Sequence, residues 1–388
     1  MSGGPEFTWI DDEAGFASLL ETLHGAPRVG LDTEFHRERT FVPDVAVVQL
    51  GWDDGIALVD ALAVDLRPLA GLLGSDTRIV MHACTQDLEV LDTVCGVEPA
   101  HLFDTQIAAG FVGMSTPSLA ALCRHHLGVD LAKGDRLTDW KRRPLPDSAL
   151  SYAASDVEHL FELEDLLVAE LRELDRVGWA EAECRVVARK TLDRPPPEQA
   201  WWRIKEAKRL KGRAAAIAQA VAAWREDRAR RVDRPLRFVL PDLAVVGIAQ
   251  KAPQDRGTLA KIRGLDQRHL RGGADDEILE AVARGCDLDL DAVVRPAEVK
   301  VDRDLRPAVS LLSAWISQFA HDHRLDPALL ATRGDLEAFL GGHPGRLDEG
   351  WRADLVADRI RRLVNGEAAL AFAGEGRLVA EVRSNVPI

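Results

Sequence analysis

The chain has 388 residues, enough for two or three domains, and 46% of them are hydrophobic, which excludes an intrinsically disordered chain. No apolar run reaches the ~18 residues of a membrane helix, Met1–Pro5 lacks the marks of a signal peptide, and five cysteines without CxxC spacing exclude a zinc site and point to a cytoplasmic setting. The net charge of −14 speaks against nucleic acid only until it is divided: residues 1–192 hold 33 acidic and 16 basic side chains, Arg203–Arg237 12 basic and 4 acidic.

Val29–Phe35 reads as a strand, so Asp32 and Glu34 leave one face of it together. Val45–Trp52 and Ile56–Val59 flank the turn signal Asp54-Gly55 and form a hairpin. Arg78–His82 is a short apolar strand. Helical periodicity follows at Thr85–Val94, Thr105–Val112, Ser118–Leu127 and Asp147–Leu174. Tyr152, the only tyrosine of the chain, precedes Asp156 by one helical turn. Strands first as a meander and then alternating with helices predict a mixed sheet covered by helices.

Pro195-Pro196-Pro197 predicts a semi-rigid linker over residues 193–202. Beyond it the pattern is helical: Arg203–Lys211, Gly212–Arg231, Asp242–Ala249, Thr258–Ile262 and Asp266–Arg284. After a break near Asp287–Asp302 come Arg306–His323, Pro327–Ala331, Arg333–Leu340 and Trp351–Asn365. Each helical segment opens on a long helix with a tryptophan, Trp224 or Trp315, which suggests a diverged duplication of one module. Leu378–Val382 alternates weakly, as a short strand would. The expected division is 1–192 for an α/β unit, 203–286 and 300–370 for two all-α units, and 371–388 for a tail.

Asp32, Glu34, Asp87 and Asp156 are the acids suited to a two-cation site. Mg²⁺ and Mn²⁺ prefer oxygen ligands, and two such ions can hold both oxygens of an in-line displacement at phosphorus. Asp-x-Glu alone is a weak signal. The ordered set is a strong one: Gly30-Leu31-Asp32-Thr33-Glu34-Phe35, Val48-Gln49-Leu50, His82-Ala83-Cys84-Thr85-Gln86-Asp87, Phe103-Asp104-Thr105-Gln106, Thr138-Asp139-Trp140 and Tyr152-Ala153-Ala154-Ser155-Asp156.

Over residues 25–175 this set resembles the DEDD exonuclease superfamily in its tyrosine-containing branch, and within it the ribonuclease D family. Residues 203–282 resemble the HRDC helical module, and 303–370 a second, more diverged copy. The resemblance implies an RNase H-like (DEDD exonuclease) α/β domain with a mixed sheet, followed by two all-α HRDC-type domains. It implies a two-metal-ion 3′→5′ exoribonuclease that removes 3′ nucleotides from tRNA precursors or other structured RNA. One ion falls to Asp32, Glu34 and Asp156, the other to Asp32 with Asp87, and Tyr152 orients the nucleophilic water. A single-stranded 3′ end, two divalent cations (Mg²⁺ or Mn²⁺), no membrane and a monomer complete the expectation. Many superfamily members carry asparagine where this chain has Cys84.

Other residues admit a role and a plainer reading. Lys133, Arg136 and Lys141-Arg142-Arg143 either meet phosphates or are exposed. Asp139-Trp140 either meets the substrate's 3′ end or forms a packed turn. Lys205, Lys208, Arg209, Lys211 and Arg213 are candidates for the RNA backbone. Trp201 and Trp202 either stack on bases or, as preferred, pack the linker against the catalytic unit. Asp104 reads as a helix N-cap and His82 as structural. A DNA exonuclease and a non-catalytic RNA-binding protein are the alternative functions.

Overall fold

The computed structural model describes residues 5–131, 138–190, 196–295 and 303–383. In the first of these stretches run β1 (Thr8–Ile10), α1 (Glu13–Leu23), β2 (Arg28–His36), β3 (Asp44–Trp52), β4 (Gly55–Asp60), α2 (Leu69–Leu73), β5 (Arg78–Met81), α3 (Thr85–Cys95), β6 (His101–Asp104), α4 (Thr105–Gly110) and α5 (Leu119–Leu122). After it come α6 (Asp147–Glu158), α7 (Leu160–Glu173) and α8 (Val177–Lys190).

The sheet order is β1-β4-β3-β2-β5-β6. β2 is central, antiparallel to β3 and parallel to β5, so the sheet is mixed. Its two faces are covered differently. Val29 and Leu31 of β2 join a core with α1, α2 and α3. Gly30, on the other face, meets α6 and α7: a Cβ there would stand 3.3 Å from Leu160 Cδ1 and 3.7 Å from the Val157 carbonyl. Gly51, paired with Gly30, faces the same Val157 at 3.4–3.5 Å. Two glycines in register let α6 settle close to the sheet.

The helical remainder opens with a 3₁₀ turn, Pro197–Arg203, and continues through α9 (Gly212–Arg231), α10 (Leu236–Val239), α11 (Asp242–Lys251), α12 (Arg256–Leu259) and α13 (Ala274–Asp287). Trp201 is fully buried in the core of this unit, among residues of α9, α11 and α13, and its Nε1 donates to the Val294 carbonyl. Trp201 therefore neither stacks on bases nor pins the linker to the α/β unit, while Trp202 is half-buried against the same core. The end of the expected linker is part of the helical core. Expected single helices are also split. Arg203–Lys211 holds one 3₁₀ turn, Ala207–Arg209, after the turn that ends at Arg203, and Gly272-Gly273, both at positive φ, separate Gln267–Leu270 from α13. Asp147–Leu174 breaks at His159 into α6 and α7, and Ser118–Leu127 ends in a π turn.

The last stretch holds α14 (Arg306–Asp322), α15 (Pro327–Leu330), α16 (Arg333–Leu340), α17 (Gly350–Arg352), α18 (Asp358–Val364) and a hairpin of β7 (Ala368–Phe372) with β8 (Leu378–Val382). It shares a core with the α/β unit: Val309, Trp315 and Trp351 cluster with Phe111, Leu163 and Leu167. Arg176 ties them further, donating to the carbonyls of Phe111, His323 and Arg324 at 2.7, 2.7 and 3.0 Å.

Seven elements stand outside the sequence expectation: β1, α1, α2, β6, α8, α10 and β7. β1, α2 and β6 have three to five residues, too few for a period to show. α1 is different: Asp12 caps it by accepting from Gly15 N at 2.8 Å, a legible signal. No helix among the described residues is long and apolar enough to cross a membrane.

Candidate active site

β2 delivers Asp32 and Glu34 to the face on which α6 lies, and α6 delivers Asp156. Each of the three offers a carboxylate oxygen, and these oxygens lie within 4.8 Å of one another. Asp87, in the first turn of α3, reaches the same region from the other side of the strand. Thr33, which points away from Asp32 and Glu34, donates its hydroxyl to Asp87 Oδ1 at 2.5 Å. Three chain segments thus bring four acids together.

Their charges are held at a cost. Burial first, then Asp87, Asp156 and Glu34, push the Asp32 carboxyl well above the usual range. Burial and the neighbouring Asp156 and Asp87 raise Glu34 to about 8. Burial and Asp87 raise Asp156 to about 7, against the Tyr152 hydrogen bond. Burial raises Asp87 to about 6, against the Thr33 hydrogen bond. An all-oxygen set whose members repel one another fits a hard divalent cation, which removes the cause of the shifts. Burial and the acid cluster also push the Tyr152 phenol upward, so it stays protonated and donates to Asp156.

The aim of Asp87 is set by Asp104. Its carboxylate caps α4, accepting from Gln106 N at 2.7 Å and Ile107 N at 3.2 Å, as an N-cap should. It also accepts from Ala83 N at 3.1 Å and Cys84 N at 2.9 Å. Ala83 has φ +55°, an unfavourable region for alanine. The carboxylate therefore fixes the strained turn that launches α3. His82 bonds Thr105 Oγ1 through Nδ1 at 2.8 Å, a structural contact.

The remaining candidates separate. Trp140 is buried among Ala46, Leu58 and Ala153, with its ring 6.4 Å from that of Tyr152. It packs beside Tyr152, as the packed-turn alternative for Asp139-Trp140 expects. Asp139 is exposed, its Oδ1 accepting from Lys141 N and lying 3.5 Å from His36 Nε2. Arg143 is committed to Asp60 and to the carbonyls of Trp140 and Ala46, and so is not free for phosphate. Arg213 is likewise committed, to the carbonyls of Gly285 and Leu288. Lys205, Lys208, Arg209 and Lys211 are exposed before and at the start of α9, with Lys208 Nζ 5.5 Å from the Trp202 ring. Lys133 and Arg136 lie outside the described residues. The sequence reading missed Thr33 and the second pair of Asp104 bonds. Thr33 stands inside the Asp-Thr-Glu motif, but nothing there announces a partner 54 residues away.

A family model described as 3′-5′ exonuclease matches residues 7–172, and one described as HRDC domain matches residues 214–282. A ribonuclease D of Gluconacetobacter diazotrophicus is 35% identical over 381 residues, covering 96% of both chains. One of Jannaschia sp. is 34% identical over 385 residues, covering 97% of this chain and 99% of its own. The crystal structure of Escherichia coli RNase D, described as an exoribonuclease involved in structured RNA processing, superposes with a TM-score of 0.83. It is 30% identical, over 93% of this chain and 99% of its own. A Bifidobacterium adolescentis protein shares the fold at a TM-score of 0.69 and 24% identity, over 93% of this chain and all of its own.

Proposed function

The chain belongs to the ribonuclease D family of 3′→5′ exoribonucleases, and from that premise we propose that it trims the single-stranded 3′ ends of structured RNA, tRNA precursors among them, as a monomer. Asp32, Glu34 and Asp156 would hold one divalent cation, and Asp32 with Asp87 would hold a second, Mg²⁺ or Mn²⁺. When bound, such ions supply a nucleophile at neutral pH and offset charge building on the phosphoryl oxygens. The protein's own groups do the rest. Thr33 holds the Asp87 carboxylate in one orientation. Tyr152, kept neutral by its surroundings, is a donor and not a general base, and it positions the attacking water through its hydroxyl. Trp140, packed behind it, limits the ring's freedom.

The observation that carries this reading is the gathering of carboxylates from β2, α3 and α6 into one half-buried cluster. We read 203–286 and 300–370 as HRDC-type modules that present the RNA body, with Lys208, Arg209 and Lys211 facing its backbone and Asp139 near its 3′ end.

The test uses 5′-labelled RNA and DNA of one sequence, and a tRNA transcript with a 3′ extension, with Mg²⁺, Mn²⁺ or chelator. A shortening RNA ladder that needs the metal is expected. Asp156→Asn should lower kcat by about 10³-fold while leaving RNA binding nearly intact. Full activity in chelator, or equal loss of DNA, would overturn the reading.

A further inference from the structure

A cleft of about 920 Å³ opens between the segment that follows β2 and the helices α9 and α10. We propose that this cleft is a second, phosphate-binding site that grips the RNA strand upstream of the nucleotide being removed. The proposal rests on the exoribonuclease reading above and adds to it where the strand runs once it leaves the acid cluster.

The cleft begins where the candidate active site ends. Arg37 follows Glu34 by three residues along β2 and its exit, and Glu89 follows Asp87 by two on α3; both line the cleft. Three residues of extended chain span roughly 10 Å, which is about three nucleotides of stacked strand at ~3.4 Å each. Its far wall belongs to the first helical unit, and the two walls are bound together. Asp233 Oδ1 accepts from Phe41 N at 2.9 Å and Val42 N at 3.1 Å.

The charge of the cleft is cationic in a chain of net charge −14. Five arginines and three carboxylates line it. The carboxylates are each engaged: Glu89 with Arg37, Glu226 with Arg203 at 3.5 Å, and Asp242 with Arg225 at 2.6 Å. Arg230 and Arg237 are left over, both exposed. Arg237 has no carboxylate partner among the described residues, and Arg230 has only the exposed Asp227, at 3.5 Å. Two further donors in the walls, Arg225 Nε and Thr40 Oγ1, are buried with no hydrogen-bond partner. The cleft therefore carries more N–H and O–H groups than it has acceptors, and phosphate oxygens are acceptors of the matching kind.

Aromatic faces select a nucleic acid over a bare anion. The Arg237 guanidinium lies 5.0 Å from the centre of the Phe238 ring, which is 47% exposed. That of Arg230 lies 5.6 Å from the centre of Phe41. Arginines beside aromatic rings, at the exit of a site that cuts phosphodiesters, suit a single strand whose bases stack while its backbone is neutralised.

The test is the Arg230→Ala/Arg237→Ala double variant of the full chain. It is assayed on a single-stranded RNA of about 20 nucleotides, longer than a typical binding site, and on a trinucleotide, which spans to the mouth of the cleft at Arg37 but not across to its far wall. KM for the long RNA should rise about tenfold, with the slope of log KM against log salt shallower by about one to two. Its kcat, and all constants on the trinucleotide, should be unchanged, and Arg230→Lys/Arg237→Lys should restore much of the KM. Equal loss on both substrates, or an unchanged KM for the long RNA, overturns the proposal. If the wild type degrades no RNA, the exoribonuclease reading itself has failed. Fluorescence anisotropy of the long RNA in chelator still decides the cleft, since weaker binding by the double variant supports it and equal binding overturns it.

Discussion

Glu34 titrates near 8 in the folded chain, against a reference of 4.5, because it is buried beside Asp156 and Asp87. A carboxyl raised on folding binds its proton more tightly in the folded than in the unfolded state. Stability therefore falls as pH climbs from the unfolded pKa through the folded one. For the metal-free chain the loss spans about pH 4.5 to 8, with Asp156, raised to about 7, adding to it. A divalent cation cancels the repulsion only once the carboxylates are ionised. Thermal melts with Mg²⁺ or with chelator should therefore nearly coincide near pH 5.5 and separate by several degrees near pH 8.5. A separation that does not grow with pH would count against the cluster as a cation site. Asp104 is the other residue whose worth can be read off its bonds. It is 2% exposed and accepts from four backbone N–H groups. Asp104→Ala should cost about 3 kcal/mol in denaturant unfolding and lower kcat through the aim of Asp87. Asp104→Asn should recover part of both, and equal effects of the two substitutions would show that the acceptor oxygens are not what matters.

Between elements, the approach of α6 to β2 and β3 sets the distance from Asp156 to Asp32, and glycine sets that approach. A Cβ at Gly51 would stand 3.4 Å from Val157 Cβ, ordinary contact, while the methyls of a valine have no space left. Gly51→Ala should keep most activity. Gly51→Val should cost about 1–3 kcal/mol and reduce kcat by up to ~10²-fold, because a 1 Å misplacement of a reacting group costs that much. A valine variant that is less stable yet fully active would refute the coupling. Much of this was legible in the sequence. Period two placed Asp32 and Glu34 on one face, and one helical turn placed Tyr152 beside Asp156. The glycines at 30 and 51 were visible as residues, but only the pairing of β2 with β3 shows that they face one helix. The same limit hid Asp104, whose second role depends on a turn 20 residues earlier. It also misplaced Trp201, whose aromatic face looks available in sequence and is buried by distant partners.

Across the whole molecule the two helical segments differ in how they are attached, although their sequence patterns look alike. The first has its own core around Trp201 and Trp224 and meets the exonuclease unit through Asp233 and the cleft. The second has merged its core with that unit. At the junction Arg352 Nη1 donates to Glu183 Oε1 at 2.6 Å, and the side chains are 6% and 9% exposed. Trp351 adds a hydrogen bond to the same oxygen and stacks on Trp179. Burial alone would raise the Glu183 carboxyl, but Arg352 and Arg346 outweigh it and hold it low. A truncation that removes this segment to ask about RNA recognition would therefore unseat the catalytic unit. The sharper question is put to the pair. Arg352→Leu should destabilise the chain by about 3 kcal/mol, since it leaves the buried Glu183 carboxylate with only Arg346 at 3.5 Å and Trp351 at 3.3 Å. Arg352→Leu/Glu183→Leu should regain most of that loss, because a buried ion pair contributes little beyond an apolar pair of similar size. Denaturant midpoints of the two variants decide it, and a double variant as unstable as the single would mean that the pair itself, and not the stranded charge, holds the second segment in place.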